Sequence, residues 1–516
     1  LEGLNALTTE LILTALADPH PGVRENALRL AESRVAQAPA LRNAVLGMKR
    51  DADPRVRFQL CLTLSKVYDA GKNEALRDIL SQDVDNRWTR TAALAAVNKP
   101  DRTLRSLLLP GARFTSELTE GRRDFLRRLA GLATARGSYK EVPELIRLAA
   151  RSPMRIEWRT ALLDGVADAL ERTDQMAGSQ GEARSALEPL VDSRSAALAR
   201  AAMRVASCLG MRDSPVWKRS MALASRRAAD PVQPQAERIE AVETLALGDY
   251  AQSGESLVKL LDPREAPEIQ LAAARALQKL PDQALGKELL GRWRQLNPAV
   301  RVIAVDILLQ RTSKQDLLIA ALEKREIDLS ELNLNLEQRR LLLHHSTDGI
   351  RRRAAALLGE QEFSNRKPIV DQYLPKVLSL HGDAAKGEVH FRALCGKCHE
   401  VRGIGTPVGA DLSMAFAKGG EDLLTSILDP SASIAPEYVN YLVETAAGDS
   451  FNGVIKSESQ AAITLVRATG EQNTVLRRDI RRMRADRLSL MPEGLEQGLR
   501  YQDLADLLAF LQQPPR

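Results

Sequence analysis

Only four cysteines occur in the 516 residues, too few for a disulfide-stapled scaffold. No apolar run approaches the roughly 18 residues of a membrane-spanning helix. Aromatic residues make up 4% of the chain, which argues against a sandwich or a propeller, whereas Leu, Ala and Arg abound. Charge of one sign is also lacking. The 73 basic and 67 acidic residues leave a net +6, too slight at this length to point to a nucleic-acid partner. Leu1 is neither an initiator Met nor the start of a basic-then-apolar leader. The chain therefore reads as a piece of a longer precursor, and the missing signal peptide says nothing about compartment. What remains is an α-helical bulk, long enough for about three to five domains or for a repeat array.

A repeat is present. An arginine begins an apolar helix at Arg24 (PGVRENALRLAES), Arg57 (PRVRFQLCLTLSKV) and Arg90 (NRWTRTAALAAV), at a spacing of 33 positions both times. Each follows a turn of Asp with Pro or Asn: Asp18-Pro19, Asp53-Pro54, Asp85-Asn86. This is a helix stop, a tight turn and a freshly capped helix. Looser copies follow at Arg159, Arg200, Arg238, in PEIQLAAARALQKL, and at Arg301 and Arg351, while residues 100–150 cannot be phased. Paired helices whose apolar faces stack on the next repeat describe an α-solenoid over 1–366, and the D-x-x-P-x-V-R pattern resembles HEAT repeats. The recurring arginines are expected to pair with acids of the adjacent repeat. Cys61 and Cys208 stand alone in apolar helical patterns and read as small buried hydrophobes. His344 and His345 are adjacent, so on a helix they point apart and share no metal. The array reads as scaffold.

After a connecting helix at 367–382 the texture changes. Glycines crowd at 387, 396, 403, 405 and 409, and a segment of alternating character at 438–484 predicts a small antiparallel β insertion with strands in YVNYLVETA, SFNGVIKS, AAITLVRA and NTVLRRDI. The last stretch, RYQDLADLLAFLQQ, returns to helical spacing, with Leu504, Leu507, Leu508 and Leu511 on one face.

Within 383–516 lies CGKCH, Cys395 to His399. C-x-x-C-H is the attachment sequence of c-type haem: one helical turn presents both thiols to the two vinyl groups of a porphyrin, and the adjacent His399 supplies the proximal iron ligand. A redox dithiol needs a βαβ setting that is not evident, and a zinc site needs two further ligands where no second cysteine pair exists. The predicted cofactor is one covalent haem c. The fold class is thus mostly α: a HEAT-like solenoid followed by a cytochrome c-like helical domain with a small β insertion.

Around the motif the chain resembles cytochromes c. That resemblance implies that Gly387 and Phe391, four apart on one helix face, pack against the Leu504–Leu511 stripe. It implies too that a carbonyl in GIGTPVGADLS accepts the hydrogen of the His399 Nδ1, with Ala410 where many relatives have proline. It further implies Met491, in LSLMPEGL before the last helix, as the distal ligand; Met414, Met483, His381 and His390 are the other candidates. The arginines at 477, 478, 481, 482, 484 and 487 form a solvated edge, or pair with haem propionates or an acidic redox partner.

HEAT-like repeats followed by this cytochrome domain are similar to the planctomycete-type haem-binding CxxCH proteins, often the C-terminal part of sorbosone- or quinoprotein-type dehydrogenases. The resemblance implies an electron-transfer module, not an enzyme by itself. It would pass electrons from a dehydrogenase domain or redox partner protein to an acceptor, in the periplasm or at the cell surface. An open-site, peroxidase-like haem enzyme or sensor, and an interaction protein with a structural haem, are the alternatives.

Overall fold

The computed structural model describes residues 2, 6–108, 113–136, 141–150, 154–172, 180–280, 282–332, 334, 336–343, 347–358, 366–486 and 488–514. His344, His345 and Arg487 lie outside them. The chain is mostly helical and divides into two compact units, Leu1–Ala224 and Ser225–Arg516. The boundary read from the sequence at 366 falls inside the second unit.

In the first unit the marker arginines open the helices Pro21–Ala31, Pro54–Thr63 and Arg87–Ala96. His20, Asp53 and Asn86 cap them by accepting backbone N–H groups of the first turn, and proline occupies the first helical position of two. Each arginine then reaches both ways. Arg24 donates to the carbonyls of Asp18 and Pro19, both at 2.9 Å, and forks onto Asp51 at 2.7 and 2.8 Å. Arg57 repeats this with Asp51 and Ala52 behind it and Asp83 ahead at 2.6 and 2.7 Å. Arg90 holds Val84 and Asp85 and pairs with Asp124 at 3.4 Å. The arginine thus closes its own turn and ties it to the next, as expected.

The next rung was hidden in the unphased stretch. Arg122, buried in the Glu120–Arg136 helix, donates to the carbonyls of Phe114 and Glu117. A threonine cap, Thr119, replaces the Asp turn. That helix runs to 17 residues and presses on Ile156–Leu170, where a methyl on Gly165 would lie 2.0 Å from the Arg127 carbonyl. Cys61 is buried and Cys208 half-buried, and burial pushes both thiols up to about 12.

The second unit continues the pattern: Arg238 pairs with Glu265 at 2.8 Å and Arg301 with Glu331 at 3.2 Å. After the helix Lys367–Leu378, the helices Ala384–His390, Gly420–Leu428 and Tyr501–Leu511 enclose a core of Phe391, Val401, Leu424, Leu428, Leu504 and Phe510. A short ladder pairs β1 (Glu400–Val401) with β2 (Ile404–Gly405).

Between these helices lies an antiparallel sheet of β3 (Asn440–Thr445), β4 (Ser450–Glu458), β5 (Ala462–Val466), β6 (Gln472–Leu476) and β7 (Ile480–Ala485), in the order β6-β5-β4-β3-β7. Four strands were expected. The fourth ends at Leu476, a tight turn covers Arg477–Asp479, and the arginine-rich run beyond it forms a fifth strand that crosses to the far edge and pairs with β3. Its composition is unlike a strand and its exposure does not alternate, yet it pairs because cross-strand partners such as Val443 opposite Met483 supply the packing. The sheet has its own small core of Val443, Ile463, Leu465 and Val475. It docks on the repeat helices of the same unit: Arg311 forms an ion pair with Asp449, and Ser450 N donates to Gln310 O at 2.7 Å.

Candidate functional site

Asp383 caps the Ala384–His390 helix by accepting from Ala385 N and Lys386 N. This helix crosses the closing helix Tyr501–Leu511 at glycine. A methyl on Gly387 would lie 1.9 Å from the Asp506 carbonyl, and one on Gly382 would lie 2.1 Å from that of Ala505. One turn on, the buried Phe391 ring stands 5.3 Å from that of Phe510. Gly387 and Phe391 therefore meet the closing helix as the sequence suggested.

The helix then widens into a π-type turn, Phe391–Cys395, a local irregularity common at functional sites. Cys398 N and His399 N both donate to the Cys395 carbonyl, at 3.0 and 2.8 Å. The two thiols and the imidazole therefore share a single turn. Neither thiol is in a disulfide, and both residues are half-buried. Burial, with Cys398 beside it, pushes the Cys395 thiol up to about 11.

The loop after the motif folds back under His399. Val408 N and Gly409 N donate to the Cys398 carbonyl at 3.0 and 2.6 Å, and Thr406 Oγ1 donates to the carbonyls of Gly396 and Lys397. Gly405 makes the reversal possible: its φ is +103°, and a methyl there would lie 2.1 Å from the His399 carbonyl. The reversal carries the Ala410 carbonyl to 2.8 Å from His399 Nδ1. A carbonyl only accepts, so Nδ1 carries the hydrogen and Nε2 keeps the lone pair that binds a metal. Arg402 fastens this loop to the end of the closing helix. Its guanidinium donates to the carbonyls of Phe510 and Gln513 and stacks 4.5 Å above the Phe510 ring.

Met491 is half-buried and packs against the same apolar core as Cys395. Its loop is held by Ser431, whose hydroxyl accepts from Ser489 N and donates to Glu493. It is held further by the buried pair of Arg366 and Glu496 at 2.6 Å. The other ligand candidates are engaged or placed elsewhere. Met414 is 66% exposed, His381 is exposed, and Met483 packs on the core of the sheet. His390 stands 3.6 Å from Asp503.

Sequence reasoning did not foresee that last contact. His390, Asp503 and Asp506 bring ligand-type atoms within 4.8 Å of one another. Both carboxylates are already used, however. Asp506 accepts from Asp383 N and Gln502 Nε2, and Asp503 accepts from the backbone and guanidinium of Arg500, which holds its carboxyl down to about 2. The trio is a polar joint between the two crossing helices.

The donor set fits a c-type haem: two thiols outside any disulfide and an imidazole on one turn, the imidazole with its tautomer fixed and its ring seated on a glycine. A methyl on Gly409 would lie 2.8 Å from the ring, so the cradle under the imidazole has no room for any other residue.

No curated protein matches the chain. Among solved structures it is similar to the karyopherin Kap121p bound to the extreme C-terminus of the protein phosphatase Cdc14p. The two are 12% identical over 72% of this chain and 48% of that one, with a TM-score of 0.36. Importin beta in an ammonium sulfate condition is 12% identical over 71% and 53%, with a TM-score of 0.32. The chain spans about half the length of these structures. Residues 9–98 match the sequence model of HEAT repeats, so the first three marker helices belong to repeats of that kind.

Proposed function

We propose that this chain is a c-type cytochrome electron-transfer module carried on a HEAT-repeat scaffold. Cys395 and Cys398 would form the thioether links, His399 would bind iron through Nε2, and Met491 would be the distal ligand. The observation that carries the reading is the seat of His399, with Nδ1 on the Ala410 carbonyl and Gly409 beneath the ring. A haem bound there supplies a one-electron couple. The chain's own part is to hold the imidazole in one tautomer and raise its basicity through the Ala410 carbonyl. The second part is to keep water from the core side, where Phe391, Val401 and Leu424 pack.

On this reading the chain is not an enzyme by itself. It passes electrons from a dehydrogenase domain or redox protein to an acceptor, and it works in the periplasm or at the cell surface, where c-type haem is attached. The repeats hold the redox domain and offer surface to protein partners.

The test is the spectrum of dithionite-reduced protein produced with the cytochrome c maturation machinery, beside Cys395→Ala/Cys398→Ala. An α-band that survives denaturation and is lost in the double variant supports the proposal. A featureless spectrum from matured protein refutes it. Carbon monoxide added to the reduced protein tests Met491: a six-coordinate site resists it, and ready binding rejects Met491 as a ligand.

A further inference from the structure

One turn of the sheet touches both the motif and the repeat helices. Residues 467–471, between β5 and β6, close on themselves through Gly470 N to Arg467 O at 2.8 Å and Arg467 N to Glu471 O at 2.9 Å. Gly470 takes a φ of +82°. On one side, the Cys398 thiol donates to the Ala468 carbonyl at 3.4 Å. A methyl on Gly470 would lie 3.6 Å from Val408, in the loop beneath His399. On the other side, Arg467 pairs at 3.5 Å with Asp306 of the repeat helix Pro298–Leu309; both side chains are largely buried. Glu471 accepts from Gln278 Nε2 at 3.4 Å. Asp306 is itself steadied by Gln338 Nε2 at 2.9 Å.

A hairpin tip is ordinarily the loosest part of a sheet. This one is held from two sides, and the backbone unit carrying the Ala468 carbonyl follows directly on the anchored Arg467. We infer that Arg467 is a positioning residue for the attachment site: by tying the β5–β6 turn to Asp306 it keeps the Ala468 carbonyl on Cys398, so the repeat scaffold sets the surroundings of one of the two thiols. The inference rests on the cytochrome reading only in naming the thiol an attachment point. The sheet is also docked by Arg311 with Asp449 and by Ser450 N on Gln310 O, so loss of Arg467 loosens the tip, with Glu471 on Gln278 as its remaining tie, and leaves the sheet in place.

The experiment uses the full chain without haem, in Cys395→Ala and Cys398→Ala backgrounds that leave one motif thiol each. Alkylation by iodoacetamide is followed by peptide mapping, which separates the motif thiol from Cys61 and Cys208. Arg467→Ala is expected to speed alkylation of Cys398 about fivefold, the population shift that loss of one ordinary hydrogen bond produces. Cys395 should stay at its original rate, Asp306→Asn should act in the same direction, and Arg467→Lys should restore much of the protection. An unchanged Cys398, or an equal rise at both thiols, overturns the inference. Should Arg467→Ala melt as an unfolded chain, Asp306→Asn carries the same two outcomes. In matured protein, Arg467→Ala should also shift the reduction potential. If the matured wild type takes up no haem, the cytochrome reading fails while the thiol rates still decide the role of Arg467.

Discussion

The imidazole of His399 rests directly on Gly409: a methyl group there would lie 2.8 Å from Cε1 and 3.1 Å from Nδ1. The same ring is fixed edgewise by the Ala410 carbonyl, so it cannot yield without giving up that bond. Gly409→Ala is therefore expected to push the imidazole off its seat while leaving both thiols free to react. On the cytochrome reading, the covalent haem of matured protein should persist, with its low-spin absorption weakened and restored by added imidazole. A spectrum identical to wild type would show that the seat does not matter.

Gly387→Ala tests the crossing of the two helices that frame the motif. The obstruction is backbone, the Asp506 carbonyl at 1.9 Å, so no side chain can turn aside to admit the methyl group. The helices must part, at a cost of about 3 kcal/mol or more. Amide exchange in the Tyr501–Leu511 helix should accelerate. That local readout is the suitable one, since all four tryptophans lie before residue 300.

The parts of this architecture that were legible in the sequence are local. The Asp turn, the capped helix and the arginine four residues past the cap form one short pattern that repeats at fixed phase, and CGKCH is five contiguous residues. Four-residue spacing put Gly387 and Phe391 on one helix face, and the resemblance to cytochromes c supplied the closing helix as their partner. What escaped depends on tertiary partners. Arg122 closes its own turn as Arg90 does, without the Asp turn that marked Arg90. Strand β7 carries three arginines in six residues and becomes a strand only because β3 offers it an edge. The joint of His390 with Asp503 and Asp506, and the reach of Arg467 to Asp306, link residues more than 100 positions apart, which no periodicity encodes.

Arg57 and Arg55 give a matched comparison of the same residue type in one helix. Arg57 is 8% exposed and forks onto Asp83 while closing its own turn through two carbonyls. Arg55 sits outside with its side chain 67% exposed against Asp53. Arg57→Ala should destabilise the first unit by about 2–3 kcal/mol, because the half-buried Asp83 loses both charge-assisted hydrogen bonds and two turn carbonyls lose their donor. Arg55→Ala should cost no more than about 0.5 kcal/mol. Thermal unfolding of the two variants checks this, and equal shifts would remove the ladder as a source of stability.

Lys314 stands at the opposite extreme. It is 1% exposed, its Nζ has no hydrogen-bond partner among the described residues, and it feels the charges of the Arg311–Asp449 ion pair. Burial foremost, then the neighbouring Arg311 cation, pushes its ammonium down to about 8; Asp449 and Asp282 offset only part of this. In the unfolded chain a lysine holds its proton to about 10.4. Between about 8 and 10 the unfolded state therefore binds more protons, so stability rises with pH across that window. Below it both states are charged and the folded protein bears the whole cost of the buried cation. Lys314→Met keeps the length of the stem and removes the charge, and should stabilise the second unit at pH 7 by about 1–3 kcal/mol. At pH 10 that gain should nearly vanish. Unfolding of both proteins at the two pH values decides the point: an equal gain at each would trace the effect to packing, and a loss at pH 7 would mean that the ammonium finds a partner there.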